Sequence, residues 1–154
     1  MKKLLTTLFF LILLLSTVNV KATTYYVAPN GNDSNLGTIT SPWLTLNKAW
    51  TIVSAGDIIY MRGGIYHPGN STTTLSGKSG TAGNLITISA YQNEKPIIDY
   101  IGVSMTSQRC GLSLSSLNYV YFKGIHIRNM AMASSWNHYG FILWNDVNNC
   151  TFEQ

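Results

Sequence analysis

The chain has 154 residues, of which 45% are hydrophobic and only 10% are charged, a composition that excludes an intrinsically disordered protein. The formal net charge is +4, from ten Lys and Arg against six Asp and Glu. Three of the lysines precede residue 22, so residues 23–154 carry seven basic and six acidic side chains and a net charge of +1. These seven are scattered rather than clustered, which argues against nucleic acid as a partner.

The first 22 residues have the pattern of a secretory signal peptide. Lys2 and Lys3 precede an apolar run over residues 4–15, and Val20-Lys21-Ala22 supplies small residues at the spacing of a cleavage site. The run is shorter than the roughly 20 apolar residues that span a bilayer, which disfavours a membrane anchor. We expect an exported, extracellular protein of bacterial type that is free of the membrane after cleavage and begins at Thr23.

Export would place the two cysteines in an oxidising compartment, where a disulfide between Cys110 and Cys150 is permitted. Cys150 lies between polar neighbours in a strand-like segment. This pattern favours its packing as a small apolar residue over a disulfide, and the pairing stays open at this point.

Residues 23–57 predict an N-terminal cap. Residues 24–28 have a strand pattern, and residues 29–37 are dense in turn-forming Asn, Gly and Ser. Ser41-Pro42 then provides a helix start, because the hydroxyl can accept a free backbone N–H and proline already has a helical φ. Apolar residues at helical spacing predict a helix over about residues 42–53. They are Trp43, Leu46, Ala49, Trp50 and Val53.

After Asp57 the hydrophobic pattern changes to that of short β-strands separated by Gly, Asn and Ser. The predicted strands cover residues 58–62, 85–90, 111–114, 119–123, 125–128, 140–144 and 150–152.

Two internal matches indicate a repeat. Residues 111–114 match residues 140–143 at an offset of 29, and residues 117–122 match residues 147–152 at an offset of 30. Two matches at nearly one period indicate successive coils of a solenoid whose strands pair in parallel. An antiparallel sandwich is the alternative, but its hairpins usually carry Asn-Gly turns, and Asn30-Gly31 lies ahead of the helix. We predict an all-β, parallel β-helix whose first coils occupy residues 58–154.

The last strand pattern, at residues 148–154, is followed by no turn or closing element. A terminal coil without a cap exposes an apolar face and unpaired backbone groups. We therefore expect the chain to be the first part of a longer protein, with a β-helix that is incomplete at its C-terminal end.

Six segments of the mature chain carry a family resemblance, and they follow one another in order along the sequence. The segments are YYVAPNGNDSNLGT (residues 25–38), SPWLTLNKA (41–49), GDIIYMRGGIY (56–66), SGT (79–81), LITISAY (85–91) and KPIID (95–99). They resemble the amino-terminal region of secreted right-handed parallel β-helix proteins, especially pectate lyases of polysaccharide lyase family 9. The resemblance implies a right-handed β-helix of the pectin lyase type, with the helix closing the first coil. It also implies a protein, expected to be monomeric, that cleaves an acidic polysaccharide such as pectate by calcium-assisted β-elimination.

β-Elimination on a uronic acid requires a base and a cation that stabilises the developing negative charge. Calcium needs several converging oxygen ligands, and the acids of the mature chain form no local cluster. The acidic cluster and the lysine base of the family match no residues here, so we assign no catalytic and no metal-binding residue. Calcium is expected for the full-length family member, and this chain alone is expected to be inactive. The acids are Asp33, Asp57, Glu94, Asp99, Asp146 and Glu153.

Asp33 is the best single candidate for a cation-binding loop. Asn and Asp side chains also stabilise turns, and we predict the turn-stabilising role for both Asp33 and Asp57. Lys123, His126 and Arg128 are candidates for substrate contact, because outward cations can hold carboxylates. Gly124 separates Lys123 from the other two, so a shared face is not predicted, and a solvated surface is the alternative. The alternative function is that of a non-catalytic carbohydrate-binding or cell-surface β-helix protein.

Overall fold

The computed structural model describes residues 21–68, 73–103, 109–130 and 138–154, without the side chains of residues 109–110 and 138–139. Short strands dominate, as the period-2 patterns predict. In chain order the elements are β1 (Thr24–Val27), α1 (Leu46–Ile52), β2 (Ile58–Met61), β3 (Gly64–Tyr66), β4 (Thr73–Ser76), β5 (Ile86–Ala90), β6 (Pro96–Asp99), β7 (Arg109–Ser115), β8 (Val120–Lys123), β9 (His126–Arg128), β10 (His138–Trp144) and β11 (Thr151–Glu153).

The strands form three parallel sheets that wind into a solenoid. One sheet has the order β1-β2-β5-β8-β11, the second β3-β6-β9 and the third β4-β7-β10. Each coil contributes one strand to each sheet, and three such coils follow β1. Every strand pair in the described ranges is parallel. The predicted parallel β-helix is confirmed, and the antiparallel sandwich is excluded.

The internal repeat is confirmed by the strand register. Leu112 pairs with Phe141 and Leu114 with Leu143, which reproduces the offset of 29. Phe122 pairs with Phe152, which reproduces the offset of 30. Equivalent positions of successive coils therefore lie directly on top of one another.

The core lies inside the coils, because alternate side chains of each strand point inward. Ile59, Ile88 and Phe122 occupy the same register position in β2, β5 and β8, and all three are buried. Phe122 stacks on the ring of Phe152 with centroids 4.9 Å apart and planes 4° apart. The same inward position thus carries one continuous apolar column along the solenoid.

The predicted helix is confirmed, but its start is wrong. Helix α1 begins at Leu46 with Thr45 as its N-cap, whose side chain accepts from the backbone N–H of Lys48. Ser41 is not the cap, because the chain after it stays extended beside β1. The Trp43 N–H donates to the Tyr26 carbonyl at 2.9 Å. This backbone pairing prevails over the local preference of Ser-Pro for starting a helix.

Helix α1 covers the first coil. The Trp50 indole N–H donates to the Ser76 carbonyl at 3.0 Å, which ties the helix to β4. The Lys78 ammonium donates to the carbonyls of Thr51 at 3.0 Å and Val53 at 2.8 Å. A cation at these unpaired C-terminal carbonyls favours the helix.

The predicted signal peptide lies outside the described residues, apart from residues 21 and 22, and stays a prediction. Among the helices of the described ranges, none is long and apolar enough to cross a membrane. Cys150 is a free cysteine that packs against the core, as its sequence context predicts.

Candidate functional site

The structure places the three predicted substrate-contact residues on two different sheets. Lys123 ends β8 in the five-stranded sheet, while His126 and Arg128 lie on β9. The chain turns between them at Gly124, which has a φ of +67°, a conformation that glycine adopts without strain. The three side chains therefore do not form one binding face.

Arg128 is held by a buried acid. Asp99 is only 2% exposed, and its carboxylate pairs with the Arg128 guanidinium at 2.8 Å. It also accepts hydrogen bonds from the Asn129 side chain at 2.8 Å and the Ile101 N–H at 2.9 Å. The bond from Asn129 contributes most to holding the pKa of Asp99 below its ordinary value, and Ile101 and Arg128 add to it against the effect of desolvation. Arg128 on β9 therefore pairs with an acid that also stabilises the turn after β6.

Lys123 lies on the outer face of the five-stranded sheet and is paired as well. Its ammonium is 2.7 Å from Glu153 on β11, and both side chains are about half exposed. The Tyr121 hydroxyl donates to the same carboxylate. The hydrogen bond to Glu153 raises the pKa of Lys123, and the bond from Lys123 lowers the pKa of Glu153. His126 is exposed on the β3-β6-β9 sheet.

Three tyrosines form an aromatic cluster on the outer face of the same five-stranded sheet. Tyr26 and Tyr60 are register partners on β1 and β2, and Tyr91 directly follows β5. The ring centroids of Tyr26 and Tyr60 are 5.8 Å apart, and Tyr91 meets them edge-on at 5.5 Å and 5.4 Å. All three side chains are partly exposed. We call these residues the tyrosine cluster.

An arginine and a glutamate border the tyrosine cluster. The Arg62 guanidinium lies 5.1 Å from the centre of the Tyr91 ring, within the range of a cation–π contact. Its Nε pairs with Glu94 at 2.9 Å, and Glu94 also accepts from the Gly63 N–H. The bond from Arg62, together with that from Gly63, lowers the pKa of Glu94, which is therefore ionised at neutral pH. The pair is neutral as a whole.

Desolvation, followed by proximity to Tyr91 and Tyr60, raises the pKa of Tyr26. The cluster consequently presents a neutral Tyr26 phenol at physiological pH.

Of the two acids that were predicted to stabilise turns, Asp57 does so, whereas Asp33 binds backbone groups of the distant segment that precedes α1. Asp33 Oδ1 accepts from the backbone N–H groups of Leu44 and Thr45, both at 2.9 Å. Asp57 joins two segments, because Oδ1 accepts from the Thr23 N–H and Oδ2 from the Ser54 N–H, both at 2.8 Å. Within the described ranges, no group of three or more His, Cys, Asp or Glu side chains could hold a metal ion.

The tyrosine cluster was missed in the sequence because its members are far apart along the chain. Tyr26 and Tyr60 occupy equivalent outward positions of two predicted strands, a signal that aligning β1 with β2 would have revealed. Tyr91 lies just beyond a strand, and no local pattern connects it with the other two.

The chain matches the family "Pel9A-like, right handed beta helix region" over residues 25–154. It is 38% identical over 103 residues to pectate lyase L of Paenibacillus polymyxa (strain SC2), a match that covers 67% of this chain and 22% of that protein. It is 35% identical over 127 residues to pectate lyase PEL9 of Emericella nidulans, covering 82% of this chain and 29% of that protein. The chain therefore spans less than a third of the length of these relatives.

Two solved structures have the same architecture. A rhamnogalacturonan lyase superimposes with a TM-score of 0.70 at 26% identity, covering 84% of this chain and 34% of that structure. The pectate lyase Pel9A superimposes with a TM-score of 0.56 at 27% identity, covering 70% of this chain and 28% of that structure.

Proposed function

Because the chain belongs to the Pel9A-like right-handed β-helix family, we propose that it is the binding part of an exported protein that cleaves acidic polysaccharide. The substrate class is a uronic acid polymer such as pectate, and the reaction is calcium-assisted β-elimination. The match to the family over residues 25–154 carries this proposal. The two relatives named pectate lyase support the substrate class.

In this proposal the described coils bind the polymer but do not perform the elimination. Elimination needs a base and a cation beside the uronate carboxylate. The described residues contain no group that could hold the calcium ion, and Lys123 and Arg128 are both in ion pairs. Calcium and the base would come from other coils of the protein, since the relatives are more than three times as long as the matched segment.

A non-catalytic carbohydrate-binding or cell-surface protein is the second candidate. The observation that favours it is the same lack of a metal-holding group in the described part of the chain. Only the first candidate requires that bonds in the polymer are broken, whereas a carbohydrate-binding protein would bind the polymer and leave it intact.

The test uses polygalacturonate with calcium, incubated in parallel with the purified chain and with the complete product of its gene. We expect the chain to bind the polymer, measured by its retardation in an affinity gel, and to release no unsaturated uronides. We expect the complete product to release them. Release of unsaturated uronides by the chain alone would overturn the proposal that these coils bind the polymer without cleaving it. Binding by the complete product without release would establish the second candidate.

A further inference from the structure

The outer face of the five-stranded sheet carries aromatic groups whose packing leaves part of each ring in solvent. Outward side chains of a parallel sheet stack on their register partners, which explains why Tyr26 and Tyr60 meet. Tyr91 adds an edge-on ring to both, and Arg62 lies over it. Ring stacking needs no polar partner, so the Arg62 guanidinium and the Glu94 carboxylate beside the rings are not explained by the stacking.

The hydrogen bonds of Arg62 use only part of its guanidinium. Its Nε donates to both carboxylate oxygens of Glu94, at 3.1 Å and 2.9 Å. Among the described residues, none accepts a hydrogen bond from the two terminal nitrogens of Arg62. These nitrogens are the donors that bind a carboxylate in a bidentate manner. The side chain of Arg62 is 34% exposed, so a ligand beside Tyr91 can reach them.

We propose that the tyrosine cluster with Arg62 is a sugar-binding subsite for a uronic acid residue of a polysaccharide chain. The apolar face of the pyranose ring packs on the exposed tyrosine surface, and the terminal nitrogens of Arg62 donate to the uronate carboxylate. Aromatic side chains with a few polar groups at their edge are the usual composition of a small-ligand site. This inference rests on the proposed function, since it takes the uronic acid polymer from there.

Charge alone does not create this subsite. The positive charge of Arg62 is matched by Glu94 at 2.9 Å, so the local net charge is zero. Affinity should therefore come mainly from ring stacking, and the preference for an acidic sugar from the hydrogen bonds of the guanidinium. The two contributions can be separated by substitution.

The first experiment measures the affinity of the full chain for oligogalacturonate by titration calorimetry. We expect Tyr60→Leu and Tyr91→Leu to weaken binding about tenfold each, because both remove a ring and keep an apolar side chain. Tyr60→Phe keeps the ring and is expected to bind like the wild type. Tyr119→Leu is the matched control, since Tyr119 is partly exposed and makes no ring contact with the cluster. Circular dichroism verifies that each variant is folded.

The second experiment compares oligogalacturonate with its methyl ester, which carries no charge. The double variant Arg62→Met/Glu94→Gln removes both charges, so an unpaired Glu94 cannot repel the ligand. We expect it to bind the acid about threefold more weakly and the ester unchanged. An equal effect on both ligands would overturn the role of Arg62.

The outcomes distinguish this inference from the proposed function. If the wild-type chain does not bind oligogalacturonate, the proposed function fails and the subsite fails with it. If the wild type binds and both leucine variants bind equally well, the subsite is wrong, while the proposed function stands.

Discussion

Replacing Ile88 by alanine tests whether the coil interior carries the stability of this protein. Ile88 lies in the middle of β5, between Ile59 on β2 and Phe122 on β8, and it has no solvent exposure. The substitution removes three carbon atoms from the central position of the inward column and leaves the backbone pairing of three strands in place.

The cost follows from the number of buried atoms. Each buried methyl or methylene group contributes about 0.8 kcal/mol, so the transfer of three to water costs about 2.4 kcal/mol. The cavity adds to this, because the backbone ladders on both sides of Ile88 prevent the column from collapsing. Measured costs of such truncations run from about 2 to 5 kcal/mol, and we expect about 3–4 kcal/mol here.

The assay is urea unfolding followed by the fluorescence of the buried Trp43 and Trp50. Ile101→Ala is the matched control, because Ile101 is 64% exposed and the change should alter the free energy of unfolding by less than about 0.5 kcal/mol. A cost below about 1 kcal/mol for Ile88→Ala, or equal costs for both variants, would refute the inward orientation of Ile88. A shift of the register by one residue would turn it outward.

Three further predictions use other parts of the fold. Gly111→Ala should lower the free energy of unfolding by about 1–3 kcal/mol, because the new Cβ would lie 2.7 Å from a methyl group of Ile127 and 2.8 Å from the Gly140 carbonyl oxygen. Gly140→Ala is the control in the same urea assay and should be tolerated, because its Cβ would meet nothing within 4 Å. Asp33→Ala should lower the free energy of unfolding by about 1–2 kcal/mol, because two backbone hydrogen bonds are lost, and Asp33→Asn should lower it less. Calcium should not raise the melting temperature of the wild type, since a rise would show that Asp33 belongs to a cation site. Folding lowers the pKa of Asp99, so the stability that the ionised carboxylate contributes is fully present above about pH 4 and is lost as the pH falls through the folded pKa. The decrease in the urea midpoint between pH 6 and pH 3 should therefore be smaller in Asp99→Asn than in the wild type. An equal decrease in both proteins would contradict this role.

Local patterns predicted much of the architecture. The matching segments at offsets of 29 and 30 became register partners, because a coil of fixed length returns each strand to the same sheet. Strands β3, β4 and β6 were missed, since each has only three or four residues and no clear alternation of apolar and polar residues. The helix start was misplaced because the pairing of Trp43 with Tyr26 is non-local.

The candidate site was less accessible to prediction than the fold. Lys123, His126 and Arg128 were selected because they are close in sequence, but the turn at Gly124 sends them to two sheets. The ion pairs of Lys123 and Arg128 join residues from different coils, Lys123 with Glu153 and Arg128 with Asp99. Neither the turn direction nor the partner of a charged side chain is contained in a short sequence window.

The sequence by itself determined that this protein is a parallel β-helix with a capping helix, because strand period, helix spacing and coil repeat are local properties that hydrophobic burial enforces. Only the tertiary structure decided which outward side chains meet. Arg62 and Glu94 are 32 residues apart, and the tyrosine cluster combines residues of β1 and β2 with the residue that follows β5. On the outer face burial imposes no pattern on the sequence, so neighbours there are set by the register between coils.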